Sequence, residues 1–332
     1  MVAPKPTVVV ITTGGTIASR LDPATGGVVP AISGEDLVRA VPGLSNVADV
    51  EVRPFGNVLG PALTPQDLFS IARQATEALA RSEVSGVVVT AGTGIIEEGS
   101  YLCELLNTTP KPIVWTGAQF SADMWDTDGP RNLLNSVRVA ISPEAVDLGA
   151  VVCFNQEINA ARDVVKQHKT NVHTFTSLDV GILGRADEDR IVMVRRPARR
   201  RSFSVGSIEP NVDLIKLVSG SDDRFFTASV AAGARGIVVE AFPGVGIVSP
   251  GALTGIVAAR NAGIPVLLAT RSPQGRTMAK YGGEIGAKDL EKLGVILAGD
   301  LASTKARLLL MVLLAMTNDN ERLKELITDA AP

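Results

Sequence analysis

Thr12-Thr13-Gly14-Gly15-Thr16-Ile17-Ala18-Ser19 sets a hydroxyl just past two glycines. Paired glycines let a chain turn tightly and approach a ligand closely, which presents Thr16 as a candidate nucleophile. The stretch lacks the G-x-G-x-x-G spacing and the lysine of a phosphate-binding loop, so by itself it reads as a Gly-rich turn after a strand. Thr90-Ala91-Gly92-Thr93-Gly94-Ile95-Ile96-Glu97-Glu98 repeats the pattern of small residues ending in a threonine. Glu97 and Glu98 fall in the first turn of the following helix. There they complement its dipole, and they are read as structural rather than as an acid/base pair. A third stretch, Ala161-Arg162-Asp163-Val164-Val165-Lys166, supplies an amine. A lysine drawn partly out of water has a lowered pKa and can accept a proton from a neighbouring hydroxyl. Two threonines and one lysine on a single rim make a nucleophile-plus-base set without histidine, which is the equipment of acyl transfer.

Other chemistries find less support. His168 and His173 lie close to Lys166 and are read as structural. Cys103 and Cys153 sit in apolar segments and are expected to be buried and inert. Two cysteines and two histidines without paired spacing form neither a disulfide framework nor a zinc site, and no metal is expected. A net charge of −3 disfavours a protein that coats nucleic acid. The start MVAPKPTVVVITTGG has no signal-peptide pattern, and the apolar run Leu308 to Met316 is about half a membrane span. The expectation is a soluble, cytoplasmic protein without a membrane partner.

The elements that must position these turns are legible. Val8 to Ile11, Gly86 to Val89, Pro112 to Trp115 and Gly149 to Phe154 are short β-branched or apolar runs, each followed by a turn and a segment of helical spacing. Such alternation predicts a parallel sheet covered on both faces. Right-handed crossovers then gather the strand C-termini along one rim, where ligands of such sheets bind. Thr64-Pro65-Gln66-Asp67 reads as a helix start, and Asp128-Gly129-Pro130 opens another. Arg195 to Asn211 breaks the pattern with five arginines (Arg195, Arg196, Arg199, Arg200, Arg201), read as a solvated linker. Alternation resumes at Leu214 to Val218, Gly236 to Val239, Pro265 to Ala269 and Val295 to Ala298, and the chain closes with helices at Ser303 to Met316 and Asn320 to Ile327. The expected organisation is an N-terminal α/β catalytic domain over 1–192, a linker over 193–211 and a C-terminal α/β domain over 212–332.

Several stretches together resemble the bacterial-type L-asparaginase/glutaminase family. They are Thr13-Gly14-Gly15-Thr16-Ile17-Ala18, Gly92-Thr93 with Glu97-Glu98, Thr116-Gly117-Ala118, Asp128-Gly129-Pro130 with Asn132-Leu133, Arg162-Asp163-Val164-Val165-Lys166, and Ala298-Gly299-Asp300-Leu301 before Lys305-Ala306-Arg307. The matches keep their order over nearly the whole chain. The resemblance implies a two-domain α/β fold, a larger N-terminal parallel-sheet domain with a smaller C-terminal α/β domain, and a threonine-dependent amidohydrolase working through a covalent acyl-enzyme. It implies Thr16 as nucleophile, Thr93 and Lys166 as a second hydroxyl with its base, and backbone amides near Thr93 and Ala118 as the oxyanion site. Gly15, Asn57, Val58, Gly92, Gly94 and Ala118 would lie against the substrate. It further implies a homodimer or homotetramer, with the site between one subunit's N-terminal domain and its neighbour's C-terminal domain. No cofactor is implied.

The departures make this a divergent member. The family has Asp directly after the second threonine, holding the substrate's α-amino group; here the residue is Gly94. A Gly-Ser-Gln-like turn that grips the α-carboxylate becomes Gly56-Asn57-Val58, and a Gly-x-Gly-Asn-like turn becomes Pro243-Gly244-Val245-Gly246-Ile247. The loop after Thr16 normally carries a catalytic tyrosine, but Arg20 to Pro30 has none. Tyr281 is the residue that could stand in across the interface. Each lost charge-assisted bond costs about 1.5–3 kcal/mol, so asparagine should bind about a hundredfold or more worse if two are missing. The expected substrate is an amide, imide or lactam without a free α-amino-acid head, with Phe120 and Trp125 either lining its pocket or packing in the core. The alternatives are a true L-asparaginase/glutaminase releasing ammonia and aspartate, a non-catalytic binding protein, and an amidotransferase subunit acting on charged tRNA.

Overall fold

The computed structural model describes residues 5–198 and 200–331; Met1 to Pro4, at the start of the N-terminal segment read above, Arg199 of the arginine run and Pro332 lie outside the described residues. The chain divides after Ser204 into two compact units.

The first unit contains strands β1 (Thr7–Gly14), β2 (Ser19–Leu21), β3 (Val28–Pro30), β4 (Asp49–Val58), β5 (Val84–Thr90), β6 (Ile113–Thr116), β7 (Ala150–Phe154), β8 (Glu157–Ala160), β9 (Val165–Lys166), β10 (Phe175–Thr176), β11 (Gly184–Asp187) and β12 (Arg190–Met193). Its helices are α1 (Gly34–Arg39), α2 (Leu44–Val47), α3 (Pro65–Leu79), α4 (Ile96–Leu106) and α5 (Gly129–Ile141). Eight strands form one sheet in the order β12-β11-β8-β7-β6-β5-β1-β4. The segment from β4 to β7 is parallel, as the alternation predicts. From β7 onward the pairing is antiparallel. The reason lies in two residues. Asn155 and Gln156, with φ of 47° and 66°, make a two-residue turn between β7 and β8, and such turns return the chain antiparallel.

Burial explains why β1 is central. Seven of its eight residues are buried, and its Val and Ile side chains suit a strand covered on both faces. Helix α3 starts where the sequence places it. Thr64 and Asp67 form a reciprocal cap in which Thr64 Oγ1 accepts the Asp67 N–H at 3.2 Å and Asp67 Oδ2 accepts the Thr64 N–H at 2.8 Å. Its Leu68, Ile71, Ala72, Ala75, Ala78 and Leu79 are buried, which is one helical stripe. Helix α4 lies so close to β6 that a Cβ on Gly99 would come within 2.1 Å of the Trp115 ring. Trp115 Nε1 donates to Cys103 Sγ at 3.3 Å, and burial pushes that thiol up to about 12, as it does the Cys153 thiol, so neither is a nucleophile.

Register fixes the rim. Thr12 of β1 lies opposite Thr90 of β5, and Thr90 lies opposite Thr116 of β6. The three threonines are therefore level, and the turns that follow them emerge side by side.

The second unit is a parallel four-stranded sheet in the order β13 (Val212–Lys216), β14 (Gly236–Ala241), β15 (Val266–Thr270) and β16 (Ile296–Leu297). It carries α6 (Arg224–Ala231), α7 (Pro250–Asn261), α8 (Ala287–Lys292), α9 (Ser303–Leu314) and α10 (Asn320–Ala330). The apolar run at Leu308 belongs to α9 and is core: Leu308 to Leu313 are fully buried. Among the described residues no helix is long and apolar enough to cross a membrane.

The arginine run is less solvated than its composition suggests. Arg195 Nε donates to the Ile182 carbonyl at 3.1 Å, and Arg196 Nη1 to that of Val146 at 2.7 Å. Arg200 Nε donates to Glu104 Oε1 at 3.0 Å, while Glu104 Oε2 accepts the Ala150 N–H at 2.6 Å. Glu104 is buried, and desolvation holds its carboxyl above the usual range despite Arg200. Removing Arg200 leaves a buried carboxylate without its counter-charge. Arg200→Ala should therefore lower stability by about 3 kcal/mol at pH 7 in urea denaturation. Because the folded-state pKa of Glu104 is raised, protonation favours the folded form, and the deficit should shrink as the pH is lowered towards 5. A deficit that does not change with pH would mean that Glu104 is not its source.

Candidate active site

The first turn and the second turn touch backbone to backbone. Gly14 and Gly15 have φ of 96° and 81°, conformations that favour glycine. A Cβ on Gly15 would lie 2.2 Å from the Gly92 backbone nitrogen, and one on Gly14 would lie 2.5 Å from that of Val58. The Gly15 N–H donates to the Val58 carbonyl at 3.0 Å, which ties the turn to the end of β4. Each glycine of the touching pair is followed by a threonine, Thr16 and Thr93. Thr16 opens a short 3-10 turn (Thr16–Ala18) whose Ile17 and Ala18 are buried, so the turn is anchored from beneath while Thr16 stays half-buried.

The third turn completes the group. A Cβ on Gly117 would meet the Ala91 carbonyl at 2.5 Å and lie 3.6 Å from Thr93 Cγ2; one on Gly129 would meet Ile17 at 3.0 Å and Ala118 at 3.5 Å. Asp128 is placed at the start of α5 but does not cap it. Its carboxylate instead accepts the N–H groups of Gln119 (Oδ1, 3.0 Å) and Phe120 (Oδ1, 3.0 Å), and Asn132 Nδ2 (Oδ2, 3.0 Å). Asn132 Nδ2 also reaches the Gly117 carbonyl at 3.0 Å. One helix start thus braces the turn that carries Ala118.

Lys166 arrives from β9, held by its pairing with Phe175 of β10. Its Nζ donates to Thr93 Oγ1 at 2.7 Å. Thr93 is only 8% exposed and Lys166 is half-buried. Burial lowers the Lys166 pKa, and the charge of Glu97 opposes that shift. The Lys166 backbone N–H donates to Glu97 Oε1. Glu97, read from sequence as a helix-terminus acid, is thus tied directly to the lysine.

The remaining sequence candidates fall as follows. Gly15, Gly92 and Ala118 are buried at the meeting of the turns, and Gly94 is exposed, with no atom within 4 Å of where a Cβ would project. Asn57 and Val58 are the exposed last residues of β4 rather than a separate turn, with Val58 opposite Gly14. The segment after Thr16 folds as the β2–β3 hairpin, fastened by Leu21 N–H to Asp123 Oδ2 at 3.0 Å and Ala122 N–H to the Ser19 carbonyl at 3.0 Å. Phe120 is half-buried, while Trp125 is 95% exposed and packs in no core. Tyr281, in the second unit, is half exposed with the Lys280 ammonium 5.4 Å from its ring centroid. His168 Nδ1 accepts the N–H groups of Thr170 and Asn171, and His173 Nε2 lies 3.1 Å from Glu157, so both are engaged locally. Among the described residues no acidic, histidine or cysteine cluster is suited to a metal. The sequence reading missed Asp128 as the brace of the Ala118 turn and Glu97 as the partner of Lys166. The signal for the first was an Asp followed by Gly-Pro at a helix start that carries no cap; for the second, a carboxylate four residues past Thr93.

Residues 7–199 match the family model described as asparaginase, N-terminal, and residues 211–327 match the glutaminase/asparaginase C-terminal domain. This chain belongs to the asparaginase family. It is 34% identical over 308 residues to an L-asparaginase of Bacillus licheniformis, covering 93% of this chain and 95% of that one. It is 29% identical to a glutamyl-tRNA(Gln) amidotransferase polypeptide from Methanosarcina mazei, covering 96% of this chain and 76% of that one. A solved structure of a probable cytoplasmic L-asparaginase from Campylobacter jejuni superposes with a TM-score of 0.88 at 29% identity, covering 98% and 99% of the two chains. The two-domain asparaginase fold follows, and the protein is an amidohydrolase acting on carbon–nitrogen bonds of a small-molecule amide.

The geometry gives a stability contrast. Gly15→Ala forces a side chain onto the Gly92 backbone at a positive φ, and should cost at least about 2 kcal/mol. Gly94→Ala meets nothing, and should stay within about 0.5 kcal/mol of the parent protein. Thermal or urea denaturation of the two variants reads the difference. Equal losses would mean that the Gly15–Gly92 contact is not tight.

Proposed function

We propose that this asparaginase-family hydrolase works through Thr16 as nucleophile, with Thr93 and Lys166 as the second hydroxyl and its base. The observation that carries the reading is the 2.7 Å hydrogen bond from Lys166 Nζ to Thr93 Oγ1 at a lysine whose pKa burial lowers. Thr16 Oγ1 attacks the amide carbonyl and the C=O electron pair moves onto oxygen, where backbone N–H groups around Thr93 and Ala118 stabilise it. In that attack the Thr16 proton passes through Thr93 to neutral Lys166; the C–N bond then breaks as the leaving amine takes this proton, and an ester to Thr16 remains. Water then attacks that ester while neutral Lys166, acting through Thr93, accepts the water's proton. The ester C–O bond breaks as Lys166, again through Thr93, returns that proton to the Thr16 oxygen, and the carboxylic acid leaves.

The substrate in this reading is an amide, imide or lactam without a free α-amino-acid head, lying against Gly15, Asn57, Val58, Gly92, Gly94 and Ala118. Support comes from Gly94, which itself offers no carboxylate and has no atom within 4 Å of where a Cβ would project, and from the exposed apolar Val58 at the end of β4. A second reading, a true L-asparaginase, is favoured by the names of the relatives. The same proposal includes a homodimer or homotetramer with shared sites, and a cytoplasmic location like that ascribed to the Campylobacter jejuni protein.

Thr16→Ala, Thr93→Ala and Lys166→Met should each lower kcat by about a thousandfold or more, since members of such a set act as a unit. A panel of simple amides, cyclic amides, asparagine and glutamine, read by ammonia or acid release, decides the substrate class. Asparagine turnover equal to the best amide sinks the altered-specificity reading. Gly94→Asp restores a carboxylate in open space and should raise kcat/KM on asparagine about tenfold or more.

A further inference from the structure

We infer that Glu97 is the positioning residue for Lys166: its carboxylate fastens the lysine's own backbone to α4 and sets a negative charge against the ammonium, so that Nζ is held on Thr93. The inference rests on the proposed role of Lys166 as base.

Three observations meet here. The hydrogen bond from the Lys166 N–H to Glu97 Oε1 joins β9 to the first turn of α4, 69 residues away in sequence. β9 is two residues long and, among the described residues, pairs with the equally short β10 alone. A strand that short has little hold of its own, so the side-chain bond from Glu97 supplies a large part of its fixation. Thr93 lies at the start of the same segment that carries Glu97. The acceptor of Nζ and the acceptor of the Lys166 N–H are thus four residues apart on one turn, and the lysine is gripped at both ends of its side chain.

The charges around Lys166 single out Glu97. From α4 Glu97 is the acid acting on the ammonium. From β10 come Phe175 and Thr176, which carry no charge. In the preceding segment Asp163 is engaged by Arg162 at 3.3 Å and by Arg195 at 3.8 Å. In the following segment His168 is turned to the backbone of Thr170 and Asn171, with Lys169 beside it, and His173 faces Glu157. Burial favours neutral lysine and Glu97 favours the ammonium, and the balance between them decides the pH at which Lys166 can accept a proton.

Glu97→Gln keeps an oxygen for the Lys166 N–H but removes the charge. Glu97→Ala removes both. Without the charge the ammonium loses its support, so the Lys166 pKa falls and the rising limb of kcat/KM against pH moves to lower pH, by roughly half a unit to one unit. In Glu97→Ala the strand also loses its fastening, and kcat should drop about tenfold or more across the whole pH range. A role for Glu97 in helix stability alone would leave the limb where it is.

The experiment titrates the ¹⁵N-lysine-labelled full-length protein by NMR, with the Lys166 Nζ signal assigned by its disappearance in Lys166→Met. It is run in the parent protein and in Glu97→Gln, alongside pH–rate profiles on the best amide of the panel. The expected result is an acid-ward shift of the Nζ titration in Glu97→Gln, with the same shift in the rate profile. An Nζ titration that is unchanged in Glu97→Gln overturns the inference. The two readouts separate the failures. If Nζ shifts but the rate profile of an active enzyme does not, or if Lys166→Met retains full activity, the assignment of Lys166 as base fails, while the grip of Glu97 on the lysine stands.

Discussion

The contact between the backbones of Gly15 and Gly92 is what the rest of the site depends on. Two strands of a parallel sheet lie about 5 Å apart, and a side chain at Gly15 would drive the turns after them apart. With no Cβ on Gly15 to strike the Gly92 backbone, and none on Gly92 to press on that of Gly60, the turns after β1 and β5 close on one another, and a threonine follows each of the two touching glycines. Everything else secures that meeting. The Val58 carbonyl pins the Gly15 N–H, buried Ile17 and Ala18 root the Thr16 turn, and Asp128 gathers the N–H groups of the third turn. The sheet contributes register, and the glycines contribute proximity.

Much of this arrangement is written locally in the chain. The β-branched runs of β1 and β5, the Thr64–Asp67 helix start and the Gly-Gly-Thr turn each state their conformation in a few residues, and a parallel sheet with turns at one rim follows from them. The parts that could not be read there depend on partners far along the chain. Asp128 sits where a capping residue belongs, and only the folded arrangement shows its carboxylate bonded to Gln119, Phe120 and Asn132. The arginines after residue 194 have the composition of a solvated connector, yet Arg195, Arg196 and Arg200 end on carbonyls and a buried carboxylate that lie 13 to 96 residues away in sequence. The switch of the sheet to antiparallel pairing was marked only by Asn155 and Gln156, whose left-handed conformation composition does not reveal.

The electrostatics of the site are a compromise. A fully exposed lysine would stay charged and could not take a proton near neutrality, and a fully buried one would be costly to hold charged and hard to hydrogen-bond. Lys166 lies between these limits. It is half-buried, bonded to a hydroxyl at its tip and faced by one carboxylate at its base. Histidine, the usual group for proton transfer near neutral pH, is present in this neighbourhood, but both rings are occupied with other bonds.

The bare position after Thr93 has an evolutionary consequence. Residues such as Gly15 and Gly99 are locked because neighbours occupy the space a side chain would need, so their identity is dictated by folding. Gly94 carries no such obligation. It follows Thr93 directly, yet a side chain there would touch nothing, so a lineage could exchange it many times over while the scaffold stays indifferent. Sequence drift can then gather at one unburdened position.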